Sequence, residues 1–294
     1  QIQKGDNVFE VVNEAIRTAY EKKGVAVVIC PNDLLTQPIK DTTDKPVNTT
    51  KPKAIAPKFK NIKKAAKLIN KSKKPVVLFG VGAQHAKDEL REFVEMAKIP
   101  VIHTLPAKAI IADDHPYNLG NLGQIGTKAS YQTIQDADLL IMIGTNFPFV
   151  KYLPKKNIKA IQIDTKEENI SHRFDINVGI LGDSKIALQQ LTENIKHVAK
   201  RPFLDKALDR KAVWDKWMEQ DLNNNNSPLR PERLMKAIND NLKEDAIVSA
   251  DVGTSTVWST RYLNLGVNNK FIISSWLGTM GCALPGAMAS KVAY

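Results

Sequence analysis

Apolar and polar positions along the chain follow two rhythms. Val8, Val11, Val12, Ala15, Ile16 and Ala19 recur at helical spacing, and Asn7 with Glu10 offers a capping pair where that helix begins. The unbroken apolar run 25–30 then reads as a buried strand, closed by Pro31, Asn32 and Asp33. From Ile62 onward, short continuous apolar runs alternate with amphipathic segments. Strands are expected at 75–80, 100–103, 138–144, 159–164 and 176–181. Helices are expected at 87–97, 128–135 and 184–199, with a long loop after His103. Strands apolar throughout and separated by helices predict a parallel sheet covered on both faces. A charged helix over 201–221 carries Trp214 and Trp217, and residues 223–228 terminate it. Beyond Pro231, two further strands, 246–250 and 271–274, enclose a helix, and a last apolar helix runs over 283–294. No repeat of fixed period is present, which excludes a solenoid.

At 294 residues the chain is long enough for about two domains of roughly 150 residues each. It opens at Gln1 without an initiator Met and closes at Tyr294 inside a helical run that has no Gly or Asn stop, so it reads as an internal piece of a longer protein. The expected divisions are the end of one domain (1–33), a Pro/Lys linker (34–58), a central α/β domain (59–199), a connecting helix and linker (200–230) and the beginning of a third domain (231–294). No apolar run approaches the ~20 residues that span a bilayer. Cys30 and Cys282 lie far apart in apolar surroundings and read as buried free thiols of a reducing compartment.

The net charge of +11 is local. Between Lys45 and Lys74 stand eleven lysines and no acid, so the rest of the chain balances at 31 basic and 31 acidic residues. The tract has no Arg and only Phe59 as an aromatic, whereas nucleic-acid surfaces favour both. Prolines 38, 46, 52 and 57 punctuate the run before Phe59. A solvated linker followed by an exposed helix face accounts for it, and a nucleotide- or nucleic-acid-binding module is the distant alternative.

Candidate chemistry collects at strand ends. Gly80 and Gly82 follow a strand and precede a helix, where glycine lets a backbone approach a phosphate, but position 85 is His rather than the third glycine of a dinucleotide fingerprint. Gly144, Thr145, Asn146 and Phe147 end another strand, Asp164 the next, and Gly182 with Asp183 the last. Ligands of open parallel sheets bind beyond the carboxyl ends of strands, so three such turns on one edge point to a nucleotide cofactor. Asp251, Val252 and Gly253, and then Gly278, Thr279 and Met280, form a second pair of strand-end loops suited to a diphosphate. Histidines 85, 103, 115, 172 and 197 show no metal-ligand spacing, so no metal site is expected, and Gly-x-Ser-x-Gly is absent.

Taken together, Pro75-Val-Val-Leu-Phe-Gly-Val-Gly82, Leu105-Pro-Ala-Lys108, Gly144-Thr-Asn-Phe-Pro148, Gln162-Ile-Asp164, Asp251-Val-Gly-Thr254 with Trp258, and Ser275-Trp-Leu-Gly-Thr-Met-Gly281 make the chain resemble the thiamine-diphosphate-dependent 2-oxo acid enzymes. Within them it is most similar to the staphylococcal-type pyruvate oxidases (pyruvate:quinone oxidoreductases). The resemblance implies a central Rossmann-like parallel sheet that binds FAD, flanked by partial α/β pyrimidine- and diphosphate-binding domains. It puts Gly80, Gly82, Gly144, Thr145, Asn146, Phe147, Asp164, Thr165, Lys166, Glu167, Glu168 and Asp183 at FAD. It puts Asp251, Val252, Gly253, Gly278, Thr279 and Met280 at thiamine diphosphate.

The implied reaction is oxidative decarboxylation of pyruvate to acetate or acetyl phosphate and carbon dioxide, through a thiamine-bound enamine that reduces FAD, with quinone or oxygen as acceptor. The family's catalytic Glu and its Mg²⁺-binding segment fall outside this stretch, so no catalytic residue is expected within it and no turnover from it alone. A cytoplasmic homo-oligomer, a dimer or tetramer, is implied, touching the membrane only peripherally through a segment not in this sequence. The alternative is a non-redox enzyme of acetolactate synthase type with structural FAD.

Overall fold

The computed structural model describes residues 1–22, 24–38 and 53–294, so most of the Pro/Lys stretch, including Lys45, Pro46, Lys51 and Pro52, lies outside the described residues. Gln1–Ala54 and Ile55–Tyr294 form two compact units.

In the first unit, α1 (Val8–Lys22) forms as its spacing predicts. Asn7 Oδ1 caps it, accepting from the amides of Phe9 at 3.1 Å and Glu10 at 3.4 Å. The strand expected at 25–30 does not form, and Val25, Val27 and Ile29 are exposed. A continuous apolar run becomes a strand only where a neighbour completes its hydrogen-bond ladder. Among the described residues of this unit there is no such neighbour; a single bond, Ile2 N to Ile29 O at 2.8 Å, reaches the run from another segment. Cys30 is therefore exposed, and Cys282, in the second unit, is only half-buried, which corrects the expectation that both are buried.

The second unit is built on six parallel strands: β1 (Pro75–Phe79), β2 (Val101–His103), β3 (Asn118–Asn121), β4 (Leu139–Ile143), β5 (Lys159–Asp164) and β6 (Val178–Leu181). Their order is β3-β2-β1-β4-β5-β6, that of a doubly wound dinucleotide-binding sheet. Val77 lies between Val101 on β2 and Ile141 on β4, and Ile141 faces Ile161 on β5, so one apolar row crosses the sheet. Side chains alternate between two covered faces. On one, α2 (Phe59–Lys71), α3 (Lys87–Ala97) and α5 (Ser184–Asn194) pack Ile62, Phe93 and Leu188 against Val77, Phe79 and Ile161. On the other, α4 (Lys128–Asp136) and the start of α6 (Pro202–Leu222) pack Ile134, Phe203 and Ala207 against Val76, Leu78 and Met142.

Two expectations in this region fail for local reasons. The supposed loop after His103 contains β3, whose three buried positions are Asn118, Leu119 and Asn121, so only one of them is aliphatic. The helix expected over 184–199 stops at Asn194, because the following residues turn back to bond elsewhere: Lys196 N with Asn70 Oδ1 at 2.9 Å and Val198 N with Met96 O at 3.0 Å.

The remainder comprises α7 (Pro231–Asn241), β7 (Ile247–Ser249), α8 (Thr254–Tyr262), β8 (Lys270–Ile272) and α9 (Ala283–Ala293). β7 and β8 form a separate two-stranded parallel pair. Several ties to the central sheet are polar, and the Lys108 ammonium is the most deeply buried of them. Lys108 Nζ meets Asp113 Oδ2 at 2.6 Å and Thr260 O at 3.3 Å, while Asp113 Oδ2 also accepts from Leu265 N at 2.9 Å. Lys87 Nζ donates to Val267 O at 2.6 Å and Arg261 Nε to Ile125 O at 3.1 Å. Among the described residues no helix is long and apolar enough to cross a membrane.

Candidate functional site

The strand order reverses between β1 and β4, and there the loops leaving the two strands run to opposite faces and open a crevice. Gly80, Gly82 and Gly144 meet at this point. A Cβ on Gly82 would stand 2.6 Å from Gly144 Cα, and one on Gly144, whose φ is +60°, would stand 2.5 Å from Gly82 Cα. Their amides are already spent: Gly80 N on Ile143 O at 2.9 Å, Gly82 N on Gly144 O at 3.1 Å and Gly144 N on Ile163 O at 2.9 Å. These glycines are what lets the two loops touch. The amides of Thr145 and Asn146, next in the β4 loop, have no acceptor among the described residues and remain for a ligand. Phe147 is buried, and its amide bonds to Thr145 Oγ1 at 3.2 Å.

Asp164 ends β5 only 8% exposed. Its Oδ1 accepts from Lys166 N at 2.9 Å and Asn169 Nδ2 at 3.1 Å, while Oδ2 has no partner among the described residues. Asn169 Oδ1 in turn accepts from Asn146 Nδ2 at 3.1 Å, and Gln162 Nε2 bridges Thr145 O at 3.2 Å and Asn169 O at 3.0 Å. The β4 and β5 loops are thus one hydrogen-bonded body, with Thr165, Lys166, Glu167 and Glu168 exposed along its rim. Asn169 is the hub. An Asx residue five positions after a strand-end Asp is its only sequence signal.

Asp183 caps α5, accepting from Lys185 N at 2.9 Å and Ile186 N at 3.4 Å through Oδ1. Its Oδ2 pairs with His85 Nε2 at 2.8 Å, and Ser184 Oγ donates to Gly82 O at 2.7 Å, so the β6 loop is fastened to the β1 loop. Burial works to raise the Asp183 carboxyl, but the His85 bond and charge, with the amides of Ile186 and Lys185, outweigh it and hold the group below the usual carboxylate range. His85, the residue that spoils the glycine fingerprint, therefore has a partner 98 positions away, a pairing no local pattern could announce.

The second cluster is held differently. Asp251, after β7, accepts from Val252 N at 2.8 Å and reaches across to Gly281 N at 2.7 Å, joining its loop to the one before α9. These amide bonds, Val252 first, lower its carboxyl from the ordinary value. Gly253 N meets Thr256 Oγ1 at 3.2 Å, while Gly278 N and Thr279 N close onto Ser274 O at 3.1 Å and Ser274 Oγ at 3.2 Å. Gly278 has a φ of +70°, and Met280 is 81% exposed. The structure thus gathers the first twelve candidates along the loops of β1, β4, β5 and β6, and the other six in two loops tied by one carboxylate. A crevice with an unpaired carboxylate oxygen and free amides suits a nucleotide, with Asp164 as acceptor for sugar hydroxyls and the Thr145 and Asn146 amides as donors to phosphate. Among the described residues no three His, Cys, Asp or Glu side chains form a group that could hold a metal ion.

Two family descriptions match the chain: "Thiamine pyrophosphate enzyme, central domain" over residues 62–191 and "Thiamine pyrophosphate enzyme, C-terminal TPP binding domain" over 251–294. The chain is 41% identical to the "Putative thiamine pyrophosphate-containing protein YdaP" of Bacillus subtilis over 99% of its own length and 51% of that protein's. It is 30% identical to a "Pyruvate oxidase" of Lactiplantibacillus plantarum, over 97% of the chain and 48% of the relative. It is also 30% identical to a "Probable acetolactate synthase large subunit" of Methanococcus aeolicus, over 100% of the chain and 53% of the relative. The chain spans about half the length of the curated relatives it matches.

Proposed function

The chain belongs to the thiamine pyrophosphate enzyme family, and from that premise we propose that it carries the flavin-binding centre and part of the thiamine-diphosphate site of a pyruvate oxidase. The observation that supports this reading best is Asp164, nearly buried beside the β1/β4 crevice with one carboxylate oxygen unpaired among the described residues. FAD is the proposed occupant, its ribose on Asp164 and its phosphates on the Thr145 and Asn146 amides, with the Asn169 and Gln162 bonds keeping those groups in register. Asp251 would keep Gly278, Thr279 and Met280 in place against thiamine diphosphate by holding Gly281. When bound, the thiamine cofactor supplies the electron sink for loss of carbon dioxide, and the flavin takes up two electrons. Pyruvate is the proposed substrate, acetate or acetyl phosphate the product, and a quinone or oxygen the final acceptor. The whole protein, with Mg²⁺ and the segments beyond this chain, is proposed to act as a cytoplasmic homo-oligomer that does not bind nucleic acid.

The second reading, a non-redox acetolactate synthase with structural FAD, rests on the relatives that carry that name. Anaerobic addition of pyruvate to the full-length, FAD- and thiamine-loaded protein separates the two. The oxidase reading expects the flavin absorption band to bleach within turnover time; a flavin that stays oxidised while pyruvate is consumed establishes the synthase.

A further inference from the structure

A groove between α4 and α6 combines aromatic and cationic chemistry for which the proposed reaction has no use. Its volume of about 370 Å³ falls in the ~300–1,000 Å³ range of small-molecule sites. Trp214 and Trp217 line it with ring centroids 6.3 Å apart and planes 57° from parallel, and Trp217 is 43% exposed. Large aromatic rings are held out to solvent at a cost that a partner for their faces removes. Lys128, in the first turn of α4, places its ammonium 5.1 Å from the Trp217 ring and pairs with no carboxylate among the described residues. Opposite it, Lys206 meets Asp136 at 3.0 Å and Arg210 shares the same carboxylate. Arg210's bond comes first among the causes that hold Asp136 below the ordinary carboxylate range. Lys128, Lys206, Arg210 and Asp209 line the groove, and with Asp136, paired to Lys206 and Arg210, the three cations meet two carboxylates and leave one positive charge over.

Arg261, anchored on Ile125 O, lies 5.6 Å from the Trp214 ring and holds that half-buried indole, while Trp217 is the more exposed of the two. Two indoles, an ammonium with no competing carboxylate and an excess of one positive charge match a flat ring that carries an anion. We propose that this groove binds a heteroaromatic phosphate of the nucleoside monophosphate class, its ring against Trp217 and its phosphate on Lys128, which swings off the indole to meet it. Stacking on an indole is tolerant of base identity, so the groove discriminates by ring and charge rather than by hydrogen-bond pattern. The site is separate from the β1/β4 crevice and does not depend on what that crevice holds.

Adenosine monophosphate is the probe, titrated into the intact protein by calorimetry and by tryptophan fluorescence, since two of the four tryptophans line the groove. The expected result is affinity at least about tenfold higher than for adenosine or inorganic phosphate alone. Trp217→Leu and Lys128→Glu should each weaken binding about tenfold, Trp217→Phe and Lys128→Arg should keep most of it, and Asp164→Asn should leave it unchanged. Equal affinity for all three probes, or indifference to both Trp217→Leu and Lys128→Glu, overturns the proposal. Loss of binding in Asp164→Asn also overturns it by moving the nucleotide to the crevice. Should Trp217→Leu fail to fold, Lys128→Glu, a change at an exposed side chain, decides alone.

Discussion

The two regions of the larger unit that present strand-end loops are made from similar sequence and held by different physics. Around β1 and β4 every strand residue is buried, and the loops touch through glycine backbones packed without room for a methyl group. Around β7 and β8 the strands are half-buried at best, the loops are tied by the Asp251 carboxylate, and Gly253 and Gly281 have nothing within reach of an added Cβ. The first region is positioned by exclusion of space, the second by a few directed bonds. Small residues at a strand end therefore carry two distinct meanings, and only the packing around them tells which.

That contrast can be broken at its joint. Lys108→Met strips the ammonium from Asp113 in a setting where the Lys108 side chain is nearly inaccessible, and removing one partner of a buried pair costs about 3–5 kcal/mol. Urea unfolding should shift by that amount and split into two transitions, the β7–β8 region melting first. Within the central region, Gly144→Ala should cost roughly 3 kcal/mol, the sum of a left-handed backbone and an overpacked contact. The matching change in the other region, Gly281→Ala, keeps the backbone penalty alone and should cost about 1 kcal/mol in the same urea series. Equal effects at the two glycines would erase the distinction.

Acid sharpens it further. His103 on β2 is buried, and burial, opposed by Asp113, drives its imidazole from 6.5 down to about 4. Below about pH 6.5 the unfolded chain takes up this proton and the folded one does not, so stability falls as pH drops from about 6.5 to about 4 and this contribution levels off below that. The loss amounts to roughly 3 kcal/mol across the window, and His103→Gln should flatten the curve of unfolding free energy against pH. The smallest effect belongs to Asp251→Asn: amide exchange at Gly281 should quicken with no change in the global midpoint.

The central sheet was legible because its strands are continuous aliphatic runs, a pattern that needs burial on both faces to make sense. β3 was not, since Asn118 is buried by bonding its own loop, with Nδ2 donating to Ala112 O at 3.0 Å, and nothing in an Asn-Leu-Gly-Asn stretch signals that. The run 25–30 failed in the opposite sense: its composition is that of a strand, but pairing is a property of neighbours. At the candidate site, the residues at strand ends were readable from position alone. The use of the Gly80, Gly82 and Gly144 amides within the fold, and the His85–Asp183 and Lys108–Asp113 pairs, arise from contacts between distant segments and leave no local trace.

The bonds from Lys87, Lys108, Asp113 and Ile125 to residues 260–267 bypass the chain that runs between the two regions. Most of residues 223–230 lie exposed to solvent, an accessible substrate for a protease. A nick there would leave two polypeptides that still migrate as one particle until denaturant parts them. The covalent link between the β1–β6 sheet and the β7–β8 pair is then dispensable for their association, and the two halves could be supplied as separate chains that find each other.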